Sequence, residues 1–91
     1  EYNFDFVVSK SKVKPERFIK LVNSPNKNST QSNLFAWNDI RETRKPNSIM
    51  YVILNDIGNK INNDIVLAYK NYNITPLFWS RKNQFINELA S

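Results

Sequence analysis

The stretch Ile49-Met50-Tyr51-Val52-Ile53-Leu54 decides the fold, because it is apolar throughout. A strand with one face in water alternates apolar and polar residues, so an unbroken run predicts a central strand covered by helices on both faces. The run is also far too short to span a bilayer. Asn55, Asp56 and Gly58 supply the turn that ends the strand.

Toward the carboxyl end, the sequence predicts two helices separated by a minimal strand at Asn73-Ile74. The first is an amphipathic helix whose apolar residues recur at three- and four-residue spacing. These residues are Ile61, Ile65, Ala68, Tyr69 and Tyr72. Thr75-Pro76 predicts the start of the last helix, with Thr as N-cap and Pro at the first helical position. Its inner side is expected to carry Trp79, Phe85, Ile86 and Leu89.

Toward the amino end, the sequence predicts two short strands and a helix between them. The alternation of Tyr2, Phe4, Phe6 and Val8 predicts the first strand. Pro15-Glu16 favours the first turn of a short helix. Its apolar side is formed by Phe18, Ile19 and Val22. We interpret residues 23–33 as a surface loop, 34–37 as a short strand and 38–48 as another loop.

The predicted order of elements is strand, helix, strand, strand, helix, strand, helix, which implies a small α/β domain. We expect a three-layer arrangement in which a four-stranded, mostly parallel sheet has helices on both faces. The loop 38–48 is too short to return the chain for parallel pairing of adjacent strands. The second strand is therefore expected on the far side of the first, with the third strand on the other flank of the first.

The composition excludes several kinds of functional site. The 91 residues include neither cysteine nor histidine, so the usual zinc sites and the Ser-His and Cys-His catalytic arrangements cannot form. A single glycine also excludes a glycine-rich phosphate loop. We therefore expect no enzyme activity, no cofactor and no metal. The length fits one domain, and the start at Glu1 without an initiator Met leads us to expect a domain excised from a longer protein.

Three local motifs carry a resemblance that extends over residues 1–91. They are Val7-Val8-Ser9 followed by Pro15-Glu16 and Phe18, the buried strand Ile49–Leu54, and Ile74-Thr75-Pro76-Leu77-Phe78-Trp79. Together with the order of elements, they resemble the BRCT domain, an interaction module of DNA-repair and checkpoint proteins. The resemblance implies a single BRCT-like domain that docks onto another protein, as part of a nuclear DNA-repair, checkpoint or replication protein.

The resemblance also implies a site for the phosphate of a phosphorylated partner. Ser9 matches the hydroxyl residue that ends the family's first strand, and Lys10 replaces the following Gly but keeps its backbone N–H. The family's phosphate-binding Lys corresponds to the neighbourhood of Asp64, which would repel phosphate, and Lys60 stands one turn earlier as its substitute. Trp79 matches the family's most recognisable residue, and we assign it to the structural core.

The net charge of +5 favours an anionic partner and leaves a second function open. A basic surface is expected from Lys10, Lys12, Lys14, Arg17 and Lys20, at the carboxyl edge of the sheet. The alternative function is therefore a nucleic-acid-binding domain that contacts DNA through residues 10–20. A third alternative is a fragment of a nucleotide-binding or nuclease domain whose catalytic residues lie outside residues 1–91. Separately, a nuclease-type magnesium site would collect Asp5, Asp39, Asp56 and Asp64. Neither a membrane nor a small-molecule substrate is expected among the partners.

Overall fold

Four strands and three helices make up the described part of the chain in a computed structural model, which covers residues 6–8, 15–41, 48–58 and 60–90. In chain order they are β1 (Phe6–Val8), β2 (Arg17–Val22), α1 (Lys27–Arg41), β3 (Ile49–Leu54), α2 (Asn63–Asn71), β4 (Ile74–Phe78) and α3 (Lys82–Ala90). A 3-10 turn, Trp79–Arg81, leads directly into α3. The prediction of a small α/β domain with a four-stranded sheet and three helices is confirmed at this level. None of the described helices is long and apolar enough to cross a membrane.

The strands form one mixed sheet in the order β1-β2-β3-β4. β1 runs antiparallel to β2, whereas β2, β3 and β4 run parallel to one another. The register aligns Val22 with Leu54 and Leu54 with Phe78, so the three parallel strands end together. We call this end of the sheet the carboxyl edge. The opposite end, where Arg17 is aligned with Ile49, is the amino edge.

Helices cover both faces of the sheet. α1 and α2 pack on one face around a cluster of buried residues, which are Phe18, Val22, Trp37, Met50, Val52, Leu54, Tyr69 and Ile74. α3 packs on the other face, where Ile19 and Ile53 meet Phe85 and Leu89. Crossovers of one hand that extend a sheet in one direction place their helices on the same face, which accounts for the position of α1 beside α2. Because β3 carries buried residues on both faces, its sequence is apolar throughout.

Residues 17–22 form a strand, so the prediction of a helix after Pro15-Glu16 is wrong. Phe18 and Val22 lie on the α1–α2 face, whereas Ile19 and Leu21 lie on the α3 face. The four-residue spacing of Phe18 and Val22 also fits a helix, so the pattern of this short segment does not separate the two periods. Pairing decides the outcome, because the whole segment pairs with β3 on one side and residues 17–19 pair with β1 on the other, which satisfies backbone groups that a strand exposes.

α1 replaces both the loop predicted over residues 23–33 and the strand predicted over 34–37. Its start is a reciprocal cap, in which the Ser29 N–H donates to Asn26 Oδ1 at 2.9 Å and the Asn26 N–H donates to Ser29 Oγ at 3.2 Å. The inward side follows helical spacing through Thr30, Leu34, Trp37 and Ile40. Thr30 is polar and the first apolar residue of this side is Leu34, so the sequence pattern predicts a polar loop and a short strand instead of one helix.

The strand order predicted from the sequence is also wrong. Residues 34–37, predicted as the second strand beyond the first, belong to α1, and β2 lies between β1 and β3. α1 supplies the crossover that parallel pairing of β2 with β3 requires. Thr75-Pro76, predicted to start the last helix, lies within β4. Proline cannot donate a ladder hydrogen bond, but an edge strand tolerates it, and β4 is the last strand of the sheet.

Candidate functional site

An open cleft of about 390 Å³ lies at the carboxyl edge and receives residues from the ends of all three parallel strands. Its apolar lining includes Leu21 from β2, Ile53 from β3, Ile57 from the following loop and Trp79 from the turn after β4, and its polar lining is Asn23 and Asn55. Open α/β domains commonly bind ligands beyond the carboxyl ends of their strands. The volume lies within the range of clefts that accept small ligands or partner side chains.

The loop after β3 is held by its own hydrogen bonds, and these present Ile57 to solvent. The Asn55 N–H donates to the Val22 carbonyl at 2.9 Å and extends the β2–β3 ladder by one residue. The Asn55 Oδ1 then accepts from the Ile57 N–H at 3.2 Å, which folds the loop into a turn. Gly58 completes the turn with a φ of 73°, where a side chain would be strained. Ile57 is left 60% exposed at the side of the cleft.

Asp56 joins the same loop to the start of the last helix. Its carboxylate accepts from the Ser80 N–H at 2.9 Å and from the Ser80 hydroxyl at 2.6 Å. These two bonds, the hydroxyl first, lower the pKa of Asp56 below its ordinary value, and the Arg81 guanidinium lowers it further. The carboxylate thus occupies the positive end of the helical segment that begins at Trp79. An exogenous phosphate would have to displace it from this position.

Trp79 forms one wall of the cleft and is partly buried. It packs against the α3 cluster of Ile19, Ile53, Phe85 and Leu89. The Lys82 ammonium lies over its ring, with Nζ 4.7 Å from the ring centroid. One face of the indole is therefore covered by a cation, and the side chain combines a packing role with a position in the cleft.

Comparison with known protein families gives a match over most of the chain. The family model described as "Domain of unknown function DUF1829" matches residues 1–82. The chain belongs to the DUF1829 family. No curated protein and no solved structure gives a significant match. Every residue that lines the cleft lies within the segment of the DUF1829 domain that the family model covers.

The residues predicted to form a phosphate site fall in two parts of the DUF1829 domain. Ser9 and Lys10, like Lys12 and Lys14 of the predicted basic surface, lie outside the described residues. Val8, which precedes Ser9 in the chain, pairs with Arg17 at the amino edge. Lys60 is exposed and lies between β3 and α2, after the carboxyl edge. Val8 and Lys60 therefore belong to opposite edges of the sheet, and the phosphate site stays a prediction.

Arg17 and Lys20 lie on β2, and neither side chain is fully exposed. Arg17 is only 3% exposed and donates from Nη1 to the Leu89 carbonyl of α3 at 3.2 Å. Its assignment to a solvent-exposed basic surface is therefore corrected: the guanidinium is directed to the end of a helix. Lys20 is half-buried on the strand. Among the five residues predicted for that surface, Arg17 and Lys20 are the described ones, and neither is an exposed cation.

Acid–base or metal chemistry finds little support in the part of the DUF1829 domain that the structure describes. No group of three or more Asp, Glu, His or Cys residues there is arranged to hold a metal ion. Asp39 is on α1, Asp64 is in the first turn of α2 and Asp56 is bound to Ser80. Asp5, the fourth carboxylate of the nuclease alternative, lies outside the described residues.

Sequence reasoning missed the cleft residues Asn23 and Ile57, and also Ser80, which binds Asp56 beside the cleft. One signal was available, since Asn55-Asp56-Ile57-Gly58 directly follows the buried strand whose carboxyl end was predicted. The loops at that end of a parallel sheet are where α/β domains place their ligands. The partner loops could not be assigned, because the segment that became β2 was interpreted as a helix.

Proposed function

We propose that the domain is a docking module that binds a segment of a partner protein in the carboxyl-edge cleft. The observation that carries the proposal is the exposed Ile57 facing a cleft that is otherwise lined by Leu21, Ile53 and Trp79. Single exposed apolar side chains are common on protein surfaces, and Phe35 is even more exposed than Ile57. Ile57 differs from Phe35 because it lines a concave and mostly apolar cleft, which is the usual form of a binding site. A partner's apolar side chain would fill the cleft and remove Ile57 from water.

Addition of a partner strand to the sheet is a less suitable mode of docking. Among the described strands, β1 and β4 form the two ends of the sheet. β1 has only 3 residues, and β4 contains Pro76. Short edge strands and edge prolines are features that oppose pairing with another chain. The cleft is therefore the better candidate for the contact with a partner.

The alternative of nucleic-acid binding has weaker support. It was based on residues 10–20, and within that segment Arg17 is buried while Lys20 is half-buried. Sequence-independent binding of single strands relies on exposed aromatic rings on which bases stack. Phe35 and Tyr72 are exposed aromatic residues, but neither lines the cleft. Trp79, which does, has one ring face under Lys82 and packs against the α3 cluster. The described residues therefore support docking of a protein segment better than binding of nucleic acid.

The BRCT resemblance would add to the docking proposal a cellular location and a class of partner. It implies a partner in nuclear DNA repair, checkpoint control or replication, and a phosphorylated residue in that partner. This extension rests on the sequence motifs, whereas the docking proposal rests on the cleft. The two are therefore tested separately.

The docking proposal is tested by selection from a random 12-residue peptide display library on the purified domain. We expect selected peptides to bind the wild type and Ile86→Ser equally, and to bind Ile57→Ser at least about tenfold more weakly, as for loss of a central apolar contact. Ile86 is the matched control, because it is an isoleucine 47% exposed on α3 and does not line the cleft. Amide-shift spectra would establish that both variants are folded.

Two results would overturn the docking proposal. One is a library that yields no binder, and the other is a set of binders that ignore Ile57→Ser. A titration with short duplex DNA at two salt concentrations completes the test. Salt-sensitive amide shifts at the cleft with DNA alone would favour the nucleic-acid alternative.

A further inference from the structure

The exposed charges around the carboxyl edge are mostly basic. α1, α2 and α3 each follow the carboxyl end of a parallel strand, so their first residues lie at this edge. The exposed cations in these segments are Lys27, Lys60, Arg81 and Lys82. The carboxylates in the same described segments are Asp64, which is exposed, and Asp56, which already accepts two hydrogen bonds from Ser80. In these described segments the exposed cations outnumber the carboxylates, and the Lys82 ammonium lies against Trp79 at the cleft, so this edge favours an anionic group.

One of these cations stands where a helix gains nothing from it. Lys27 is the first residue of α1, which has no acidic residue in its first turn. The amino end of a helix carries partial positive charge, so a lysine there opposes the helix dipole. A locally unfavourable choice of this kind is expected where a surface serves a function. Lys27 becomes favourable when an anionic group lies nearby.

On the basis of the proposed docking function, we infer that the partner segment is acidic, with Asp or Glu residues flanking a bulky apolar side chain. The apolar side chain lies between Ile57 and Trp79, and the flanking carboxylates pair with Lys82 and Arg81. Complementary charge of this kind selects the partner and speeds association, while the apolar contact supplies most of the affinity. Lys82 is the selecting residue, because its ammonium lies over Trp79 at 4.7 Å and so stands directly beside the cleft.

A protein segment fits this surface better than a nucleic-acid strand, although both are anionic. The apolar lining of Leu21, Ile53 and Ile57 accepts an aliphatic or aromatic side chain but offers no hydrogen bonds to a base edge. The polar lining is Asn23 and Asn55. The Asn55 side chain is engaged on both sides, since its Oδ1 accepts from the Ile57 N–H and its Nδ2 donates to the Asn23 carbonyl at 3.4 Å. The Asn23 side chain is therefore the remaining amide in this lining. Asp64 near the start of α2 opposes a closely spaced run of phosphates more than it opposes a few separated carboxylates.

The inference is tested on the peptides that the display library yields. The probes are the best-binding peptide and a counterpart in which each Asp and Glu is replaced by Asn and Gln. We expect enrichment of acidic residues on both sides of one apolar position, and binding of the neutral counterpart that is about tenfold weaker at 50 mM salt. The affinity of the acidic peptide should fall as salt rises, whereas that of the neutral one should change little.

Charge reversal in the domain provides the matched comparison. Arg81→Glu with Lys82→Glu should weaken the acidic peptide by about tenfold or more, and Lys70→Glu, an exposed lysine in the last turn of α2, should change binding by less than about twofold. Lys82→Gln separates loss of charge from reversal and is expected to be intermediate. Amide spectra of each variant establish that the fold is retained.

The outcomes distinguish this inference from the docking proposal. Peptides that require Ile57 but bind equally well in acidic and neutral form would overturn the acidic partner and leave the docking function intact. Peptides that ignore both Ile57→Ser and the charge reversals would overturn both. Binding that is lost with charge reversal but unaffected by Ile57→Ser would show an electrostatic contact away from the cleft, which also contradicts the inference.

Discussion

The Arg17 guanidinium of β2 donates a hydrogen bond from Nη1 to the carbonyl oxygen of Leu89, in the last turn of α3, at 3.2 Å. The last carbonyl groups of a helix have no partner within the helix, and this end carries partial negative charge. Arg17 therefore satisfies one of these groups and places a cation at the favourable end of the dipole. The contact links the amino edge of the sheet to the end of the chain's last helix, far along the sequence.

Replacement of Arg17 by alanine is expected to lower the free energy of unfolding by about 2 kcal/mol, because a buried hydrogen bond to a charged group is lost. Urea denaturation measures the change. Amide exchange should increase most in the last turn of α3. Lys60→Ala, at an exposed lysine, is the control and should have little effect. Equal stability of Arg17→Ala and the wild type would contradict the anchoring role.

The carboxyl-terminal half of the fold could largely be predicted from the sequence, because its elements have unambiguous patterns. β3 is an unbroken apolar run, and α2 places Ile65 and Tyr69 at helical spacing on the buried side. The boundary of β4 was missed because Thr75-Pro76 is equally suited to a helix start and to an edge strand. Ile86 was expected inside but is 47% exposed on α3.

The amino-terminal half was predicted with the wrong elements, for a physical reason that concerns two segments. Four of the six residues of β2 are apolar and lie on both faces, whereas Arg17 and Lys20 are charged, so helical and extended periods fit equally. The start of α1 has too few apolar residues for a helical pattern to be recognised. Asn26, Ser29 and Thr30 are polar residues that cap the helix or hydrogen-bond at its start. Contacts with other parts of the chain decide both structures, since β2 pairs with β1 and β3 while α1 packs beside α2. The cleft could not be found from the sequence, since it depends on the position of β2.

The cap of α1 offers a direct test of that helix. Asn26→Ala removes the side-chain acceptor of the Ser29 N–H and should reduce the free energy of unfolding by about 1 kcal/mol, as is typical for an N-cap. Asn28→Ala is the matched control, because Asn28 is exposed within the first turn and alanine has the higher helix propensity. Thermal denaturation followed by circular dichroism compares the two. If residues 23–33 formed the loop that the sequence pattern predicts, the two substitutions would have equivalent effects.

α1 and α2 are joined by a polar contact at the edge of their shared core. The Asn33 Nδ2 donates to the Tyr69 hydroxyl at 3.1 Å, and Tyr69 is fully buried. A double-mutant cycle with Asn33→Ala and Tyr69→Phe should give a coupling energy of about 1 kcal/mol, which is the usual net contribution of such a bond. Urea denaturation of the four proteins measures it. Additive effects of the two substitutions would place Asn33 away from the Tyr69 hydroxyl.

Asp56 links the pH dependence of stability to the loop that presents Ile57. Because the folded-state pKa of Asp56 is lowered by Ser80, the ionised carboxylate stabilises the fold above its ordinary pKa of about 3.9, and this contribution is lost as pH falls through the lower folded value. Ser80→Ala removes the hydroxyl that is the largest cause of the shift, so the pKa of Asp56 should rise toward the ordinary range. The urea midpoint of Ser80→Ala should therefore lie below that of the wild type at pH 7, and the two should converge on acidification below about pH 4.

Carboxyl carbon shifts in an NMR titration measure the pKa of Asp56 directly. Ser32→Ala, at an exposed serine of α1, is the control that leaves this pKa unchanged. If the Asp56 carboxyl titrates alike in the wild type and Ser80→Ala, the loop is held by its Asn55 turn alone and the Ser80 contact does not position Ile57.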